Sequence, residues 1–402
     1  IYTSPHTLSL HDALPISIII LDKSPDIHKN YPLIKISVDR IGVKGRRWPQ
    51  PDYRQDTEMN MQDKTRAQLD WKNLPFGYEK TDYNVRYYYK DGKWSAGELV
   101  TDEIIPLHMA APCLHYGQEA FEGLKAFETK DGRAVVFRPI ENAHRLQKSC
   151  RRIFIPEIPD DMFMDAVQKV VAANRRFLPP YGTGASMYLR PLAIGIGARV
   201  GLGPASEYIF IMFATPVGPY YKGGFKPVKA LVVEQFDRAA PLGVGDCKVG
   251  GNYAAGLAGG EYGHDHGYPV VLYLDSKEHR YIDEFSTSNF IGIKDNTYVT
   301  PKSGSILPSI TNDSLSIIAQ DMGMIVERRP VEAAELESFD EVGAVGTAAV
   351  ITPVNLIRFR DRNYTFGNGD EAGPVVKKLY ERLTRIQTGD YEDKFGWLYE
   401  VK

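Results

Sequence analysis

One stretch, PVGPYYKGGFKP (216–227), limits what this chain can fold into more than any other. Proline lacks the amide proton and fixes φ, while glycine adds conformational freedom, so a run dense in both carries neither a long helix nor a central strand. It reads as a linker. It splits a chain of 402 residues into two parts, each long enough to bury a core of its own.

Before the linker, VRYYYKDGKW (85–94) and AFETKDGRAVVFRP (126–139) each place an Asp-Gly pair between runs of β-branched and aromatic residues, the pattern of a hairpin. The turns are Asp91-Gly92 and Asp131-Gly132. Amphipathic spacing then predicts helices over 141–152 and 160–177, and apolar runs predict strands over 186–194 and 208–215, which completes an α+β unit. Beyond the linker, strands alternate with helices expected over 251–263, 311–322 and 374–388. Residues 1–64 show neither period and scatter proline and charge, so they are expected to form a disordered leader. Their first segment, IYTSPHTLSLHDALPIS (1–17), looks like translated sequencing-adapter sequence, with Met59 or Met61 as a sensible start. A genuine leader and a non-native extension both stay open.

Composition excludes several function classes. A formal net charge of −3 provides no basic face for nucleic acid. Cys113, Cys150 and Cys247 are odd in number, widely spaced and free of any CxxC pair, which argues against a disulfide framework and a zinc ribbon and fits a reducing cytoplasm. No apolar run approaches the ~18 residues of a membrane span. His264 and His266 lack a third ligand nearby, so no metal is expected. GIGARVG (195–201) has valine where a dinucleotide fingerprint needs its third glycine, and no GxxxxGK[ST] phosphate loop occurs.

The residues with chemistry to offer cluster in the second part. Lys248, in GDCKVGGNYAAG (245–256), stands before two glycines and an aromatic, which suits a covalent link to a carbonyl cofactor; that role needs an amine with a lowered pKa in a partly dry pocket. A solvated charge is the ordinary alternative. PVVLYLD (269–275) reads as a strand, and RYIDEFSTSNFIGI (280–293) then sets Glu284 ahead of small and hydroxyl residues. By itself a surface glutamate explains it better. SILPSITNDSLSIIAQDM (305–322) reads as a turn into a helix with Ser309 or Thr311 near its N-cap, where free amides favour a phosphate, although capping alone accounts for the pattern.

Taken together and in order, LHYGQEAFEGLKAF (114–127), SMYLRPLAIG (186–195), KVGGNY (248–253), IDEFSTSNF (282–290), SILPSIT (305–311) and GTAAV (346–350) resemble the branched-chain aminotransferases. These enzymes have the D-amino-acid-aminotransferase-like fold (fold type IV) and use pyridoxal 5'-phosphate (PLP). The resemblance covers about residues 71–389. It implies a two-domain α/β (α+β) enzyme, with a smaller N-terminal domain over 65–217 and a larger PLP-binding domain over 218–402. It further implies a cytoplasmic homodimer that reversibly moves the amino group of L-leucine, L-isoleucine or L-valine to 2-oxoglutarate, giving the branched 2-oxo acid and L-glutamate.

By the same resemblance, Lys248 carries PLP and moves the substrate proton, and Glu284 pairs with the pyridine nitrogen so that the ring accepts electrons. Tyr253 stands beside the phenolic oxygen. Arg145, the amides of Ile310 and Thr311, and the Thr347 hydroxyl hold the phosphate. Arg190 receives the distal carboxylate of glutamate. Phe76, Tyr116, Phe121, Tyr188 and Tyr220 form the aromatic wall, some of them across a dimer interface. The backbone of Thr347 and Ala348 holds the α-carboxylate, with Thr287 nearby. Some members carry a redox CxxC after Gly-Thr-Ala; Ala349 and Thr352 occupy those positions here, so no thiol switch is expected. D-amino-acid aminotransferase and aminodeoxychorismate lyase share the fold, but YLRP with KVGGNY favours the branched-chain enzyme. A catalytically inactive PLP-binding protein is the rival from another class, and the presence of both Lys248 and Glu284 counts against it.

Deleting residues 1–58 is expected to leave melting temperature and activity unchanged, because a segment without apolar periodicity has no face to pack on a core. A lower melting temperature on truncation would show the leader to be structural.

Overall fold

Two nine-stranded sheets organise the described residues. The structure, a computed structural model, describes residues 65–220 and 225–402. The expected leader, both candidate start methionines and the middle of the 216–227 stretch lie outside these residues. The described residues belong to one compact unit.

The first sheet is laid down by β1 (Asn84–Lys90), β2 (Lys93–Trp94) and β3 (Glu98–Val100), then, after the short helix α1 (Pro112–Tyr116), by β4 (Glu119–Phe121), β5 (Leu124–Glu128) and β6 (Ala134–Phe137). Helices α2 (Pro139–Arg152) and α3 (Asp160–Ala173) follow, and β7 (Ser186–Gly195) and β8 (Tyr208–Val217) complete the run. The second sheet uses β9 (Val228–Val233), helix α4 (Gly250–Asp265), β10 (Val270–Leu274), β11 (Ile282–Phe285), β12 (Ser288–Lys294) and β13 (Thr297–Pro301). It continues through α5 (Ile310–Asp321), β14 (Ile325–Arg329), β15 (Glu341–Gly346), β16 (Val350–Phe359) and β17 (Arg362–Thr365). After α6 (Pro374–Gln387) the chain returns, and β18 (Leu398–Val401) pairs antiparallel with β6 in the first sheet.

Local chemistry explains most of these boundaries. Asp91 and Gly92 both sit at positive φ, the backbone that a two-residue turn between β1 and β2 needs. α2 starts at Pro139, ahead of the expected 141, because proline at the first helical position forfeits an amide that has no partner there anyway. α3 stops at Ala173, short of the expected 177. Asn174 accounts for this: its side chain donates to the carbonyls of Tyr83 and Val170 and accepts from the Tyr83 amide, and only a short 3-10 turn, Arg175–Phe177, follows. Pro216, expected in the linker, lies inside β8, where β7 is its only strand neighbour among the described residues, so its missing amide breaks no ladder.

The second sheet is mixed, with β9 parallel to both β10 and β16 and β13 parallel to β14. One apolar cluster crosses between the sheets, joining Phe137 and Trp397 to Ile291, Leu315, Val345 and Leu379. Burial of that seam holds the two halves in one relation and sets the distance across which site residues must reach.

The start of α6 shows how a sheet residue can fix a helix. The buried Glu341 side chain, from β15, accepts the amides of Val375 (3.0 Å) and Val376 (2.8 Å), two groups without an intrahelical partner. Glu341→Ala is expected to cost ~1–2 kcal/mol of stability, measured by denaturant unfolding. An unchanged midpoint would mean water replaces the cap without loss.

Candidate active site

Lys248 is held from three directions. Its amide donates to the Ser149 hydroxyl of α2 (2.8 Å), its carbonyl accepts the Phe121 amide (3.0 Å), and Val249 bridges to Ala120 in β4. A Cβ at Gly250 would lie 1.6 Å from a Glu119 carboxylate oxygen, the end of a flexible side chain that would have to swing aside.

The Lys248 side chain points into a cavity of about 360 Å³. Its Nζ donates to the Tyr253 hydroxyl at 2.7 Å and stands 4.7 Å from the Phe121 ring centroid. Burial, reinforced by the Arg145 and Arg190 cations, pushes the amine down to about 7 against the pull of Glu122 and Glu284. Burial also pushes the Tyr253 hydroxyl up to about 12, so it stays protonated at neutral pH.

Glu284, on β11, is buried on the same wall. Arg238 Nε lies 2.9 Å away, the Leu307 amide donates at 2.9 Å and Asn289 Nδ2 at 2.8 Å. Burial dominates and pushes this carboxyl up to about 7, although all three partners favour the ionised form. Arg238 is held in turn by the carbonyls of Gly245 and Ser305. Neither Arg238 nor Asn289 was expected at the site. Asn289 lies inside the IDEFSTSNF string, whereas nothing in the sequence around Arg238 distinguishes it from a surface cation.

Arg145, on α2, makes a two-pronged pair with Glu122, both contacts at 2.7 Å, and its third nitrogen donates to the Pro308 carbonyl at 2.9 Å. This brings it to the beginning of α5. Ser309 is the N-cap, accepting the Asn312 amide, and it borders the cavity; Ile310 and Thr311 follow in the first turn and are not among the residues that line it. Thr287, in the β11–β12 turn, and Thr347 and Ala348, between β15 and β16, complete this side.

The opposite side is aromatic. Phe76 meets Tyr188 and Tyr220 edge-on at 5.5 and 5.1 Å, and Arg190 on β7 lies over Phe121 (5.0 Å) and Tyr188 (5.3 Å). Arg190 Nη2 donates to the Tyr188 hydroxyl at 3.2 Å, but its buried Nε has no hydrogen-bond partner. Tyr116 stands apart from these residues. It ends α1, is 43% exposed, and gives its hydroxyl to the Val200 carbonyl, so it is absent from the wall of its own chain's cavity. Among the described residues no group of His, Cys, Asp and Glu could hold a metal ion, and no helix is long and apolar enough to cross a membrane.

A part-neutral amine, a buried carboxylate beside a cation, and a helix start flanked by arginine are groups that could hold an anionic cofactor. Residues 119–357 match the family model for amino-transferase class IV, and the chain belongs to this family. Within that class, it is 46% identical over 336 residues to the branched-chain-amino-acid aminotransferase of Helicobacter pylori, covering 83% of this chain and 98% of the relative. It is similar in structure to the branched-chain amino acid aminotransferase of Escherichia coli, with TM-score 0.68 and 32% identity over 80% of this chain and 100% of that one. A second solved neighbour, the T.th. branched-chain amino acid aminotransferase with pyridoxamine 5'-phosphate, has TM-score 0.67 and 26% identity over 80% of this chain and 99% of that one.

In cofactor-free protein, modification of Lys248 by an amine-reactive reagent is expected to rise with pH through a midpoint near 7, against the ordinary 10.5. Mass spectrometry of the modified peptide across pH reads this directly. A midpoint near the ordinary value would show the amine to be solvated.

Proposed function

We propose that this chain is a PLP-dependent branched-chain-amino-acid transaminase, transferring the amino group of L-leucine, L-isoleucine or L-valine to 2-oxoglutarate and back. The observation that carries the reading is Arg190. Among the described residues no carboxylate pairs with this guanidinium, which lies in an aromatic wall bordering the same cavity as the Lys248 amine, so its charge is left for an anion that the protein itself does not supply. Aliphatic side chains can use the rings of Phe76, Phe121, Tyr188 and Tyr220, and the distal carboxylate of glutamate can use Arg190.

The donor set fits PLP. Lys248 would hold it covalently, Glu284 would face its ring nitrogen with Arg238 and Asn289 keeping the carboxylate in place, and Tyr253 would stand beside the ring oxygen. Arg145, the amides of Ile310 and Thr311 and the Thr347 hydroxyl would receive the phosphate, with Thr287 close by. Bound PLP supplies a sink for the electron pair left when the substrate Cα loses its proton. The Lys248 amine takes that proton, a task suited to a base titrating near neutrality. The turn at Thr347 and Ala348 receives the α-carboxylate.

The exposed Tyr116 supports a homodimer in which it faces the second copy's site. The division into two sheets supports a two-domain reading, 65–217 and 218–402, with β18 returning to the first sheet. A reducing cytoplasm suits the free Cys113, Cys150 and Cys247.

The test is a coupled assay of purified protein with a panel of L- and D-amino acids and 2-oxoglutarate; turnover of D-amino acids alone would reject the reading. Within that assay, Arg190→Gln is expected to weaken glutamate by ~1.5–3 kcal/mol, roughly 10- to 150-fold in kcat/KM. The leucine half-reaction, followed in single turnover, should change much less. Equal losses for both substrates would place Arg190 at the shared α-carboxylate.

A further inference from the structure

Behind the site lies a second cavity, of about 390 Å³. The two share Tyr220, Ala348, Ala349 and Thr352, so the 346–350 turn forms part of the partition between them. Lys125 borders the second cavity and not the first. It lies on β5 directly opposite Tyr188, and its Nζ donates to the Ala348 carbonyl at 2.7 Å, a contact spanning 223 residues from the first sheet to the second. Among the described residues no carboxylate pairs with it. The turn it holds is conformationally costly: Val350 has φ 64°, a region that β-branched residues avoid, so neighbouring contacts must keep it there.

The direction of the contact matters. A carbonyl drawn toward Lys125 is drawn to the second cavity's side, and in a trans peptide the following amide, Ala349, is aimed away from it. A charged donor on the carbonyl also polarises that peptide, making the amide a better donor. We propose that Lys125 is a positioning residue for substrate: by holding the Ala348 carbonyl toward the second cavity, it makes the 346–350 turn present donors to an incoming carboxylate. This rests on the aminotransferase reading above.

Burial pushes the Lys125 amine down to about 8, so its charge is lost at mildly alkaline pH. The other titratable groups facing the second cavity are Glu128, Tyr181, Tyr220, Tyr380, Arg385 and Asp390. Glu128 pairs with Arg66, and Asp390 accepts from Tyr181 and Thr388.

The experiment uses the PLP-loaded enzyme as wild type, Lys125→Met and Lys125→Arg, with 4-methylpentanoate as an unreactive aliphatic carboxylate. Calorimetry gives its Kd, and absorption spectroscopy gives the PLP content and band position. Lys125→Met should weaken binding about tenfold with PLP content and band unchanged, and Lys125→Arg should recover most of it. Wild-type Kd should weaken as pH rises through about 8, and the step should vanish in both variants. A Kd in Lys125→Met within about twofold of wild type, or no binding by wild type, overturns the proposal, and so does loss of PLP together with affinity. Should both variants fail to fold, the wild-type step near pH 8 decides: its presence supports Lys125 and its absence overturns the role. A wild type that takes up no PLP would instead reject the aminotransferase reading, which keeps the two failures apart.

Discussion

A carboxylate with no exposed surface, Glu122, meets the Arg145 guanidinium through two contacts of 2.7 Å, and most of the site's geometry depends on that pair. Glu122 sits between β4 and β5 of the first sheet, and Arg145 projects from α2 to the Pro308 carbonyl just before α5, 163 residues away. One buried pair therefore ties the first sheet, its helix and the start of α5 in the second half. Asn142 completes the carboxylate's bonding at 2.7 Å. Removing one member of such a pair strands a buried charge at a cost of ~3–5 kcal/mol, so neither residue can be lost alone without disturbing both halves.

Around this frame the electrostatics are set by lost water more than by neighbours. Lys248 and Glu284 have opposite charges, yet burial is the largest influence on both and moves the amine down and the carboxyl up toward about 7. The sign follows from each group: burial disfavours ammonium and carboxylate alike, which lowers one pKa and raises the other. Both groups thus change protonation near neutrality, the condition under which an amine can act as nucleophile and base and a carboxyl can share a proton with a ring nitrogen. Folding carries a cost for this. Below about pH 7 the native state buries a charged Lys248; between about 7 and the ordinary 10.5 it releases a proton that the unfolded chain keeps, so this lysine's contribution to stability improves with pH across that window.

Under the proposed function, the aromatic wall and Arg190 would address a different requirement, the reception of apolar and anionic side chains in one space. Rings supply contact area without committing a polar group, and the guanidinium lies against Phe121 and Tyr188, where cation–π attraction holds it without a carboxylate partner. Such an arginine can be used or ignored by a ligand. A structural ion pair at the same place would have occupied it.

The turns and most helices were legible in the sequence because they depend on local chemistry, and so was the candidacy of Lys248 and Glu284, which the structure brings to one cavity. Asp91-Gly92 encodes its own positive φ, Pro139 its own helix start, and Lys248 and Glu284 stand in strings specific enough to resemble one enzyme family. What the sequence could not determine depends on groups brought together from far along the chain. Arg238 beside Glu284, Glu122 beside Arg145, Lys125 against the Ala348 carbonyl and β18 against β6 are all products of tertiary packing, and no local pattern announces them. Tyr116 makes the same point from the other direction, since its string matches the family while its side chain faces away from its own chain's cavity. The sequence alone determined which chemical groups are available and where the chain turns. Only the tertiary structure decided which of those groups lose their water, and desolvation is what gives them their pKa values and partners.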